Sequence, residues 1–126
     1  MKSIYWIRVF FILLLLSTSY ISFSQTRIEM LIEGRKFKNS ETGLIIQYGY
    51  ISPLNTYGIT FSNKNGVKFY FINCDKNVAS DELSMILRSC MNTDDGSGIG
   101  TIYAYPKRII VQASDGRMVY DIVEQN

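Results

Sequence analysis

From residue 27 onward, apolar side chains recur mostly at every second position, interrupted by clusters of Gly, Pro, Asn, Asp and Ser. That is the pattern of half-buried β-strands joined by turns. Ile28, Met30 and Ile32 alternate with Arg27, Glu29 and Glu33 and predict a first strand with one buried face. Asn39–Gly43 reads as a loop. Leu44, Ile46, Tyr48 and Tyr50 line one face of a second strand, which ends at Ser52-Pro53-Leu54-Asn55, where proline presets φ for a turn. Tyr57, Ile59 and Phe61 mark a third strand, and Asn65-Gly66 suits a tight hairpin. The fourth, from Val67 to about Asn73, is apolar on both faces and is expected near the middle of a sheet.

The period then changes. Ser80 is a candidate N-cap, Asp81 and Glu82 stand in the first turn, and Leu83, Ile86, Leu87 and Cys90 follow at i, i+3, i+4 and i+7. This spacing predicts one helix with a single apolar stripe. After a polar loop over Asn92–Gly100, three short strands follow at about Thr101–Tyr105, Arg108–Ser114 and Arg117–Val123. Pro106-Lys107 and Asp115-Gly116 form their turns. The element order is ββββαβββ. The expected fold is α+β, a largely antiparallel sheet packed on a single helix.

The N-terminus lies outside this pattern. Lys2 and Arg8 precede an apolar run from Val9 to Leu16, and small residues follow at Ser22 and Ser24. This is the layout of a secretory signal peptide over residues 1–24, cleaved before Gln25; cleavage after Ser19 is the alternative. Its end, Ile21-Ser22-Phe23-Ser24-Gln25, resembles bacterial export signals. A spanning helix needs ~20 apolar residues. The stretch 9–23 is shorter and carries Ser17, Thr18, Ser19 and Ser22. The remaining residues 25–126 are expected to form one small domain, exported to the periplasm or secreted, with no membrane span after cleavage.

Cleavage also changes the charge. The whole chain has 13 basic and 11 acidic residues; loss of Lys2 and Arg8 leaves 11 of each. The net +2 therefore belongs to the targeting segment, and no basic excess remains to neutralise nucleic-acid phosphates. Cys74 and Cys90 are the two cysteines of an exported chain, and they predict a disulfide worth ~3 kcal/mol by loop closure. Two buried free thiols are the alternative.

The chain contains no histidine. That removes Ser-His-Asp and Cys-His catalysis and the histidine-containing zinc sites. Asn73-x-Asp75-x-Asn77 begins like a calcium loop but has Val78 where glycine is needed and Ser84 where a bidentate glutamate is needed. No cofactor, no metal and no catalytic residue is expected. The candidate ligand or partner loop is Asn92, Asp94, Asp95 and Ser97, whose carboxylates and glycine-rich backbone could hold a small ligand, together with Tyr103 and Tyr105 on one strand face beside it. The function these features point to is a small binding module for another protein, inhibitor-like or immunity-like. An accessory subunit of a cell-envelope assembly is the alternative, and a carboxylate-based hydrolase the third reading.

Overall fold

The computed structural model describes residues 25–124, where one short helix precedes ten strands. Helix α1 spans Arg27–Ile32. The strands are β1 (Phe37–Lys38), β2 (Ile45–Ile51), β3 (Thr56–Ser62), β4 (Lys68–Ile72), β5 (Asp75–Val78), β6 (Met85–Arg88), β7 (Met91–Asn92), β8 (Thr101–Tyr105), β9 (Arg108–Ala113) and β10 (Gly116–Ile122). They form one antiparallel sheet in the order β5-β6-β8-β9-β10-β1-β2-β3-β4-β7, curled into a half-barrel. The expected signal peptide, residues 1–24, lies outside the described residues. Among those described, no helix is long and apolar enough to cross a membrane.

Alternation sets the core. Met85, Ala104, Ile109 and Tyr120 stand opposite one another across β6, β8, β9 and β10, and all are buried. Ile59 pairs with Phe71 and Ile46 with Phe61 on β2, β3 and β4. The curl brings these two halves face to face: the ring of Tyr120 meets that of Phe61 at 5.9 Å, and Phe61 meets Phe71 at 5.6 Å. Such edge-to-face pairs add to the burial of their apolar area. Ile28 and Ile32 of α1 complete the core from the open side.

One bent hairpin belongs to both ends of the sheet. Phe71 and Ile72 of β4 face Asn92 and Met91 of β7, while Asp75 and Lys76 of β5 face Arg88 and Leu87 of β6. The register is the same on both sides of the bend, so β4–β5 and β6–β7 are two continuous arms. Before the bend β4 lies against β3; after it β6 lies against β8. Asn73 and Ser89 turn the arms, each with φ of 59°. Cys74 and Cys90 are bonded beside these turns, their Cα atoms 4.1 Å apart.

The expected α+β fold is thus corrected to an almost wholly β architecture. The predicted helix, from the Ser80 cap to Cys90, is a turn followed by β6 and the bend that leads into β7. Leu83, the first member of its stripe, is 38% exposed, whereas Met85 and Leu87 are buried at strand spacing. Ser80-Asp81-Glu82 resembles an N-cap because Asp81 does bind a backbone amide, that of Leu83 at 3.0 Å, but it does so within a hairpin turn. Conversely, the predicted first strand is helix α1. Its buried apolar residues are Ile28 and Ile32, four apart, and Met30 is 61% exposed. β4 is next to the end of the sheet rather than central, and its Phe69 is exposed. Of the later turns, Pro106-Lys107 falls where expected, with Tyr105 paired to Arg108, whereas the expected Asp115-Gly116 turn lies one residue earlier, at Ser114-Asp115, with Gly116 paired to Ala113 as the first residue of β10.

The disulfide closes a short loop, so replacing both cysteines with serine should lower unfolding free energy by about 3 kcal/mol, read by denaturant titration. An unchanged midpoint would show that hydrogen bonding alone holds the bend.

Candidate functional site

The acidic glycine-rich loop is closed on itself. The Asp94 amide donates to Asn92 Oδ1 at 2.7 Å, and the Ser97 amide and hydroxyl donate to Asp95 Oδ1 at 2.9 and 2.6 Å. Those bonds from Ser97 hold the Asp95 carboxyl below its ordinary range. The backbone bonds Asn92 to Ser97 and Gly96 to Asn92 complete a tight connection between β7 and β8. Asn92, Asp94, Asp95 and Ser97 thus build the loop with their own polar atoms.

Tyr103 and Tyr105 lie on the outer face of β8, away from the core positions Ile102 and Ala104. The structure joins them to Ile110, Gln112 and Arg117, with which they line a groove of about 260 Å³, and not to the loop. Pairing extends this band: Ile86, Tyr103, Ile110 and Val119 stand side by side on β6, β8, β9 and β10, each only partly buried. Gly100 sets where β8 enters the sheet. Its φ is 103°, and a Cβ there would collide with the carbonyl oxygen of Gln112.

A second cluster went unseen in the alternating pattern. Glu29 of α1 is buried, and its carboxylate gathers donors from three elements. Its Oε1 accepts from Lys76 Nζ of β5 at 2.8 Å and from the Thr26 hydroxyl at 2.8 Å; its Oε2 accepts from the Tyr48 hydroxyl of β2 at 2.7 Å. The signal for it was Thr26-x-x-Glu29, a helix-starting capping box read as part of a strand. Beside the cluster is a cavity of about 180 Å³ between the start of β3 and the bend, lined in part by Thr56, Tyr57, Asn73, Cys74 and Lys76. Tyr57 packs against Tyr48 and Tyr50, with ring centroids at 6.2 and 5.6 Å.

Burial opposes ionisation of Glu29, but the hydrogen bonds from Lys76, Tyr48 and Thr26, with the charge of Lys76, outweigh it and hold the carboxyl below its ordinary value. Burial first, and then donation to Glu29, push the Tyr48 phenol far above its usual range, so it remains a donor. Desolvation, followed by the negative charge of Glu33, raises Tyr57 as well. With its acceptors all engaged, Glu29 acts as a clamp between α1, β2 and β5 rather than as a free acid or base.

The unfolded chain binds a proton at Glu29 more tightly than the folded one. The clamp therefore contributes fully above the ordinary value of 4.5 and is lost as pH falls through the lower folded value. Stability should decline on that acid limb, and Glu29→Gln should flatten it while costing about 1–3 kcal/mol at neutral pH, measured by urea unfolding across pH. An acid limb identical in the variant would exclude Glu29 as its source. No known family model matches this chain, and no curated protein and no solved structure matches it.

Proposed function

We propose that the protein is an exported binding module that docks onto another protein through the outer face of β8, β9 and β10, in the manner of a small inhibitor or immunity protein. The observation that carries this reading is the pair Tyr103 and Tyr105, displayed on one face of a rigid sheet beside a groove that ends in Arg117. Tyrosine and arginine are the residue types that concentrate binding energy at protein interfaces. A sheet held by a disulfide presents them with little ordering cost on association. The Cys74–Cys90 bond is consistent with an oxidising location, which supports export.

One observation favours the second reading, an accessory subunit of an envelope assembly. Strand β5 ends the sheet and could accept a strand from a partner. It is only four residues long and carries Asp75 and Lys76, features that discourage edge pairing. The tyrosine face is therefore preferred.

The decisive experiment is capture from native cell extracts with the wild-type protein and with a Tyr103→Ala, Tyr105→Ala variant, followed by mass spectrometry and titration of the recovered partner. The variant should keep its melting transition and bind more than about tenfold more weakly. A partner held equally well by both would move the interface elsewhere, and one lost on altering the β5 edge would favour the assembly reading.

A further inference from the structure

The outer face of β6, β8, β9 and β10 carries the arginines Arg88, Arg108 and Arg117 and one aspartate, Asp121. The ladder compensates the arginines unequally. Asp75 of β5 stands opposite Arg88, and Asp121 stands opposite Arg108, whose Nε donates to it at 2.7 Å. Opposite Arg117 stands Gln112, a neutral residue. No residue of β1 lies on its other side, because β1 pairs with β10 only at Asp121 and Ile122. The ion pairs among the described residues are Lys76–Glu29 and Arg108–Asp121, so none joins Arg117 to Asp115 in the adjoining turn or to another carboxylate.

Arg117 is also the one charged residue among those lining the groove with Tyr103, Tyr105, Ile110 and Gln112. Gln112 Nε2 donates to the carbonyls of Ala113 and Gly116 at 3.3 and 3.4 Å, so its amide belongs to the hairpin turn. In the free protein Arg117 is exposed and water satisfies its guanidinium. Docking removes that water. An apolar group set against Arg117 would leave a desolvated cation unpaired, which is costly, and a second cation would repel it. A neutral carbonyl would accept a hydrogen bond but leave the charge uncompensated. A carboxylate does both, accepting from the guanidinium in two-point fashion. A nucleic acid would need a run of such cations in the groove, where Arg117 stands alone.

We propose that, given the docking of this face onto a partner protein, Arg117 receives a carboxylate, the side chain of an aspartate or glutamate on the partner, in the groove beside Tyr103 and Tyr105. The partner surface is therefore acidic at this point, and apolar where it covers Tyr103 and Ile110. Arg108 plays no such part, since its own chain supplies the counter-charge. The phenol hydroxyls of Tyr103 and Tyr105 are further donors lining the same groove.

The first test titrates ¹⁵N-labelled protein with N-acetyl-glutamate amide and follows amide chemical shifts. N-acetyl-glutamine amide is the neutral control, and inorganic phosphate is the competing anion. Glutamate should give saturable shifts at Tyr103, Ile110, Gln112 and Arg117, weakened by added salt, and glutamine none. Arg117→Gln should keep its melting transition, because the side chain is exposed and makes no ion pair among the described residues, and should reduce glutamate affinity about tenfold or more. The second test repeats the capture from native extracts with Arg117→Gln, which should hold the partner about tenfold more weakly. No saturable shift with glutamate, equal shifts with glutamine, tighter binding of phosphate, or undiminished glutamate binding in folded Arg117→Gln would each overturn the carboxylate contact. A partner lost from the double tyrosine variant yet held fully by Arg117→Gln would overturn it too, while leaving the docking face in place.

Discussion

The fold depends on a hairpin that serves both ends of one sheet. β4 and β7 close one end, β5 and β6 the other, and the chain passes between them without a change of register. The sheet must therefore curl, because the same two arms cannot reach both ends of a flat one. Curling is what lets Tyr120 reach Phe61 and turns two single-sided halves into one core. Cys74 and Cys90 sit where the arms bend, so their bond holds the point on which closure depends. Backbone residues at such a bend must adopt a conformation strands avoid. Asn73 does so at little cost, whereas Ser89 has no such preference and is held by its neighbours.

The bend leaves a gap. Beyond Asn73 the chain parts from β3 to form β5, and the start of β3 faces the cavity that this parting opens. Helix α1 covers the interior here with Ile28 and Ile32, and Glu29 joins the lips by taking Lys76 from β5 and Tyr48 from β2. A buried carboxylate without partners would be costly. Here the cost is offset by donors that the two lips supply, so the charge specifies where the helix sits. A hydrophobic residue at position 29 could fill the space but could not tie three elements to one point.

The strands and their turns were legible because period-two burial is written locally. Ile59 and Phe61, Ile102 and Ala104, and Ile109 and Val111 all face inward as alternation requires. The helix was misplaced because two periods overlap in each ambiguous window. Ile28, Met30 and Ile32 alternate, yet Ile28 and Ile32 also lie one helical turn apart, and only the capping box at Thr26 and Glu29 decides between them. Leu83, Ile86 and Leu87 fit a helix, yet Met85 and Leu87 fit a strand, and what decides is pairing with Ala104 and Ile102 far along the chain. The cysteine pair was visible because it needed no knowledge of secondary structure. The Glu29 clamp was not, since its members come from positions 29, 48 and 76 and meet only after the sheet has curled.

Where the polar atoms are spent also separates framework from surface available to a ligand. The residues that looked most chemical in sequence, Asp95 and Asn92, are consumed by their own loop, and Glu29 is consumed by the clamp. Their conspicuous side chains build structure. What remains is less conspicuous: Tyr105 standing out from the sheet, and a glycine at position 49 where an added Cβ would meet only ordinary contacts. A fold stabilised by pairing, one disulfide and one clamp has no need of these features. They sit on strands whose opposite faces are fixed by the core, so their positions are held without their contributing to the holding. Side chains on the outer face of the half-barrel can then vary while the inner face, the bend and the clamp stay as they are.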